Sequence, residues 1–104
     1  MIVVLAREAE ADLEEIGDYI ARDNPARAIA FVQELIARCR YLAETPDAFP
    51  LVPRYTHRQF AHLGIRRLVH GRYLVFYRVT PERVEVLHIL NGARDIEAIL
   101  FPDG

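Results

Sequence analysis

The sequence contains no lysine; all thirteen of its basic residues are arginine. Codon bias alone can produce that pattern, so by itself it carries no functional weight. There is a single cysteine, Cys39, which excludes an internal disulfide. It falls on the apolar stripe of a predicted helix with no histidine near it there, and reads as a buried thiol rather than a nucleophile. No apolar run approaches the ~18 residues of a membrane-spanning helix. The opening Met1–Leu5 run is too short for the core of a signal peptide. The chain is therefore expected to be cytoplasmic. The four histidines, His57, His62, His70 and His88, include no helical i, i+4 pair, and there is no Cys-x-x-Cys, so no metal site is expected. A glycine-rich phosphate loop and a nucleophile elbow are also missing. Nucleotide binding and acyl-transfer hydrolysis lose their support, and no cofactor is expected.

What is present is enough for one domain spanning residues 1–104. Hydrophobic residues make up 52% of the 104. A chain of this length buries roughly 65% of its extended surface on folding. The net charge of −2 hides a division. Residues 1–50 carry five arginines against ten acids, and residues 51–104 carry eight against five. An acidic half joined to a basic half implies two different surfaces. A sequence pI near 6.1 argues against strong direct binding to nucleic acid.

Along the chain, Ile2–Leu5 is an apolar, β-branched run, expected to form a strand that is central or covered. From Arg7 to Asp23, Ala9, Leu13, Ile16 and Ile20 recur at helical spacing, with acids on the other faces. Asn24-Pro25 ends that helix and starts another, with Asn24 as cap and Pro25 in the first turn. The second helix runs to about Glu44 on a stripe of Ala28, Val32, Leu35, Cys39 and Leu42. The short link makes residues 7–44 an antiparallel hairpin. Pro46 to Gln59 reads as loop. Its Arg54, Tyr55, His57 and Arg58 form a basic, aromatic patch suited to stacking on a base or to solvent and partner contacts.

Three strands follow within 65–90: Ile65–His70, Tyr73–Val79 and Val84–Leu90. They are joined by Gly71-Arg72 and by Thr80–Arg83, where glycine and proline suit tight turns. Alternation places Tyr73, Val75, Tyr77 and Val79 on one face of the middle strand and Leu74, Phe76 and Arg78 on the other. An arginine there must be paired or must point into a groove. The tail, 94–104, carries Ile96, Ile99 and Leu100, which can dock as a helical turn or as an extended segment. The fold class is α+β: a helical hairpin on a small twisted sheet built mainly from an antiparallel three-strand meander.

One chemistry fits these side chains. Cleavage of RNA by 2′-OH attack needs a general base, a general acid and cations around the crowded phosphorane. Arg66 or Arg67, together with Arg78 and Arg94, can supply positive charge, and His88 can move protons. The same arginines can instead solvate the rim of the sheet or pair with a partner's acids.

Several stretches together resemble a known family. They are AEADLEEIGDYIA at 9–21, Asn24-Pro25, Ala28, Leu42–Pro46, Gly64-Ile-Arg-Arg, YLVFYRV at 73–79 and VLHILNGARD at 86–95. In this order and spacing they resemble the ParE toxins of ParDE type II toxin–antitoxin modules, within the RelE/ParE superfamily. The resemblance spans about Leu5 to Phe101. It implies a β-α-α-β-β-β fold and a partner, a ParD-type ribbon-helix-helix antitoxin whose tail wraps the toxin in a hetero-oligomer. It also implies a target, since ParE-branch members block DNA gyrase while RelE-branch members cut mRNA on the ribosome.

RelE-like nucleases carry a basic cluster across the sheet and usually a Tyr or His in the C-terminal segment. Here Arg94–Gly104 has neither, and the net charge is negative. These features favour the gyrase-directed branch, with no residue assigned a catalytic role. His88 and Tyr77 are the strand residues that a ribosome-dependent mRNA endonuclease would recruit. On the binding reading, Arg66, Arg67, Arg78, Arg94 and Phe101 are the expected contacts to antitoxin or target.

Overall fold

The computed structural model describes residues 1–52 and 64–100. Its first strand, β1 (Ile2–Leu5), is followed by helices α1 (Arg7–Ala21) and α2 (Pro25–Tyr41). Strands β2 (Arg66–His70), β3 (Tyr73–Val79) and β4 (Arg83–Asn91) then form the meander, and a short helix α3 (Ile96–Leu100) closes the described chain. The sheet order is β1-β4-β3-β2, with β1 parallel to β4 and the other pairs antiparallel. This is the β-α-α-β-β-β arrangement of the RelE/ParE-like fold.

Local chemistry accounts for the breaks. The Asn24 side chain accepts the Arg27 N–H at 3.0 Å, with Pro25 in the first turn of α2. That satisfies one of the donors a helix start leaves open. α2 ends at Tyr41 rather than at Glu44, because the last residues switch to bonds of three-residue spacing. Leu42, Ala43 and Glu44 donate to Cys39, Arg40 and Tyr41, tightening the chain before Pro46, which has no N–H to continue a helix. Gly17 lets the two helices approach closely: a Cβ there would sit 3.3 Å from Val32 Cγ2. Gly71 holds φ at +60° in the β2–β3 turn, a conformation that favours glycine.

Both helices cover one face of the sheet. Ala9, Leu13 and Ile16 of α1, with Leu35, Cys39 and Leu42, pack on Leu68, Val75, Tyr77, Val84, Val86 and Ile89. Burial pushes the Cys39 thiol up to about 11, so it stays protonated and inert at neutral pH. The second face carries a smaller cluster of Ile65, Phe76 and Leu90, over which Val52 and the Ile96, Ile99 and Leu100 side chains of α3 pack. The described part of the tail, through Leu100, thus docks as a helical turn. The register shifts by one between Phe76 and Tyr77, where Phe76 pairs with His88 and Tyr77 with Val86. Leu87 is the extra residue of this bulge.

One expectation is corrected. β1 is an edge strand, not a central or covered one: it pairs with β4 alone among the described residues. Ile2 is 65% exposed and Val4 also lies open, while Val3 and Leu5 turn to the core. An apolar run of four has no polar side chain to mark its open face, so alternation could not identify it.

Candidate functional site

The arginines of the sheet fall into distinct settings. The β3–β4 hairpin sets Arg78 opposite Glu85, and Arg83 lies two residues before Glu85 on the same strand. Side chains at this spacing share a face, here the one turned away from α1 and α2. Arg78 Nε donates to Glu85 Oε1 at 2.7 Å. Arg83 donates through Nε at 3.0 Å and Nη2 at 2.7 Å to Oε2. The pairing expected for Arg78 is therefore met by the chain's own glutamate. Hydrogen bonds from Arg78 and then Arg83 hold the Glu85 carboxyl below its ordinary 4.5.

That shift has a sign in stability. The folded-state pKa is lowered, so the contribution is complete above about pH 4.5 and is lost as pH falls through the folded-state value. Thermal melting of the wild type and Glu85→Gln should therefore differ at neutral pH and converge as the pH falls below the ordinary carboxylate range and Glu85 takes up its proton. A constant difference across that range would show that Glu85 acts through packing instead.

Arg66 serves a different structure. It pairs in register with Tyr77, on the helix-covered side. There it donates to the Phe49 carbonyl at 2.7 Å and lies 3.6 Å from the Asp47 carboxylate. Beside it the Tyr77 hydroxyl donates to the Pro46 carbonyl at 3.0 Å. Burial raises the pKa of this phenol. Arg66 and Tyr77 together fasten the segment that follows α2. Arg67 pairs with Phe76 and so belongs to the second face, half-buried there.

His88 is held by α1. Its Nδ1 lies 2.9 Å from Asp12 Oδ2, and the same oxygen accepts the Ile89 N–H at 2.9 Å. The physical cause is the length of β1, whose pairing with β4 ends at Val86. Beyond that point the outward N–H of Ile89 needs an acceptor, and Asp12 supplies it. Arg94 is exposed in the turn after β4, where its N–H bonds the Asn91 carbonyl. It lines a groove of about 600 Å³ together with Tyr19 of α1, Arg22 just after that helix, and Tyr73.

The structure thus gathers Arg78 with Arg83 and Glu85, and Arg66 with Tyr77, but does not bring Arg66, Arg78, His88 and Arg94 to one point. Arg94 neighbours Tyr73, five residues from Arg78 along β3, a separation of roughly 17 Å. Arg66 and Arg78 lie on opposite faces. Arg54, Tyr55, His57, Arg58, His62 and Phe101 lie outside the described residues. Among the described residues no group of three or more His, Cys, Asp or Glu could hold a metal ion. Within them no helix is long and apolar enough to cross a membrane.

Two features were not singled out from the sequence, and only one of them left a signal there. Asp12 is 76 residues from His88, and in sequence it is one of six acids on an acidic helix. The Arg83–Glu85–Arg78 cluster had a signal. Counting across the Thr80–Arg83 turn places Glu85 opposite Arg78, and Glu85 alternates with the apolar Val84 and Val86.

Three comparisons bear on this site. Residues 3–96 match the family described as ParE toxin of type II toxin-antitoxin system, parDE. The chain is 34% identical over 97 residues to Toxin ParE1 of Caulobacter vibrioides, covering 92% of this chain and 94% of that protein. Among solved structures it is similar to one described as the chromosomal ParDE TA system from P. aeruginosa, with a TM-score of 0.68 and 24% identity. That match covers 88% of this chain and 95% of the other, and at such identity the likeness speaks to the fold.

Proposed function

The chain belongs to the ParE toxin family of type II toxin–antitoxin systems, and we propose that it inhibits DNA gyrase by binding and is neutralised by a ParD-type antitoxin. The observation that carries this reading is the dispersal of Arg66, Arg78, His88 and Arg94 over two faces and both ends of the sheet. Phosphoryl transfer by 2′-OH attack needs its acid, base and cations within hydrogen-bond reach of one phosphate. Here Arg66 ties down a loop, His88 is engaged by Asp12, and Arg78 by Glu85. Tyr77 is fully buried. Arginines dispersed in this way suit contacts with a protein surface, where charge-assisted pairs with carboxylates are strong and specific.

Antitoxin acids set against Arg66, Arg67, Arg78 and Arg94, with Phe101 as a further contact, would give a hetero-oligomer in which the toxin's surface is masked. Changing Arg78 and Arg94 together to alanine should weaken antitoxin binding or abolish growth arrest, while circular dichroism shows a folded domain. A folded double variant that still arrests growth and still binds antitoxin normally would sink this assignment.

A further inference from the structure

Among the described residues the second face of the sheet is covered only in part. α3 and Val52 pack over Ile65, Phe76 and Leu90, but none of the described residues covers Ile2 and Val4 at the end built by β1 and the β3–β4 turn. Register makes a contiguous patch there. Ile2 pairs with Arg83, Val4 with Glu85, and Glu85 with Arg78, so five side chains span three adjacent strands at ~4.8 Å spacing. The two aliphatic residues are exposed, Ile2 at 65% and Val4 at 37%.

The charge arrangement within the patch is uneven. Glu85 is the central member, yet its side chain is 16% exposed against 39% for Arg78 and 47% for Arg83. The carboxylate is covered and the guanidinium groups lie outward. Glu85 takes one N–H of Arg78 and two of Arg83, out of five on each guanidinium. Two cations and one anion leave a net positive charge, with donors facing solvent beside an apolar shelf.

We propose that this patch receives an extended, acidic segment of the antitoxin, whose carboxylate is bound between Arg78 and Arg83 while a neighbouring apolar side chain rests on Ile2 and Val4. In the free toxin Glu85 stands in for that carboxylate. The proposal rests on the reading of the chain as an antitoxin-neutralised toxin, and adds Arg83, Glu85, Ile2 and Val4 to the contacts expected from sequence. Glu85 keeps the two guanidinium groups from repelling each other and fixes their forks before the partner arrives. Such preorganisation reduces the ordering entropy lost on binding. Glu85 also repels the incoming anion, so it tunes affinity downward as well as orienting the site.

This double role predicts opposite signs for two substitutions. Arg83→Ala should weaken binding of the full-length ParD-type antitoxin about tenfold or more. Glu85→Gln keeps a hydrogen-bonding oxygen for the arginines but removes the negative charge, and should tighten binding about fivefold, most clearly at low salt. Isothermal titration calorimetry of each purified full-length toxin variant, with melting curves to confirm folding, reads both. Arg83 is exposed at the start of β4, so its variant keeps the test open if Glu85→Gln does not fold.

Unchanged or weaker binding by folded Glu85→Gln would overturn the stand-in role, and unchanged binding by Arg83→Ala would overturn the patch itself. If Arg83→Ala loses gyrase inhibition but keeps its antitoxin affinity, the patch belongs to the target and the proposal fails. An antitoxin that does not bind wild type at all would overturn both this inference and the functional reading beneath it.

Discussion

Tyr77→Ala is expected to destabilise the domain by about 3–5 kcal/mol, the range for truncating a large buried aromatic. Tyr77 is fully buried and is the largest such side chain among the described residues, packed between the helices and the central strands. Its hydroxyl also holds the Pro46 carbonyl. In a domain whose total stability is about 5–15 kcal/mol, this loss leaves little margin. Tyr77→Phe fills the same space and loses only the hydrogen bond, at about 1 kcal/mol. Urea denaturation of the two variants separates packing from hydroxyl. The phenylalanine variant should arrest growth to the same extent as wild type, since the buried phenol is not available to a substrate. A folded Tyr77→Phe that has lost toxicity would give the hydroxyl a functional role and revive the nuclease reading.

The second large effect belongs to Asp12. Asp12→Ala removes the acceptor of the Ile89 N–H and the partner of His88 in one step. An N–H that loses its partner costs its own desolvation, and a bond to a carboxylate is stronger than a neutral one. The expected loss is about 2–3 kcal/mol, a fall in melting temperature on the order of 10–20 °C for a domain of this size. His88→Ala leaves the Asp12–Ile89 bond in place and should cost less, about 1 kcal/mol. Asp12→Asn keeps an oxygen for Ile89 and should fall between the two. If His88→Ala proved the more damaging, the role of Asp12 at the open stretch of β4 would be wrong.

Much of the fold was legible because the periodic segments are unambiguous. The stripe of Ala9, Leu13, Ile16 and Ile20, the Asn24-Pro25 break and the alternation of Tyr73–Val79 each permit one arrangement. The position of β1 was not legible. Ile2, Val3, Val4 and Leu5 are all apolar, and only three-dimensional placement shows that nothing among the described residues covers Ile2. The end of α2 fell three residues short and β4 gained one residue at each end, where turn-type hydrogen bonds at Leu42–Glu44 and the Thr80 turn bear on the boundary.

The site was legible in part. Residue type identified the arginines, but partners decide what an arginine does, and those partners are distant in sequence. Arg66 meets Phe49 and Asp47, and His88 meets Asp12. Local pattern holds no record of contacts between a helix near the start of the chain and a strand near its end. The Arg78–Glu85–Arg83 cluster is the exception, because a hairpin register can be counted.

Inhibition of gyrase by binding is the function proposed for this toxin. Its most direct test pairs two assays on one purified preparation, with supercoiling by DNA gyrase titrated against toxin and mRNA integrity followed in a translating extract. Supercoiling inhibition should saturate at a fixed ratio of toxin to gyrase and be relieved by antitoxin, while the mRNA stays intact. Cleavage of ribosome-bound mRNA, with supercoiling unaffected at every ratio, would contradict the proposed function.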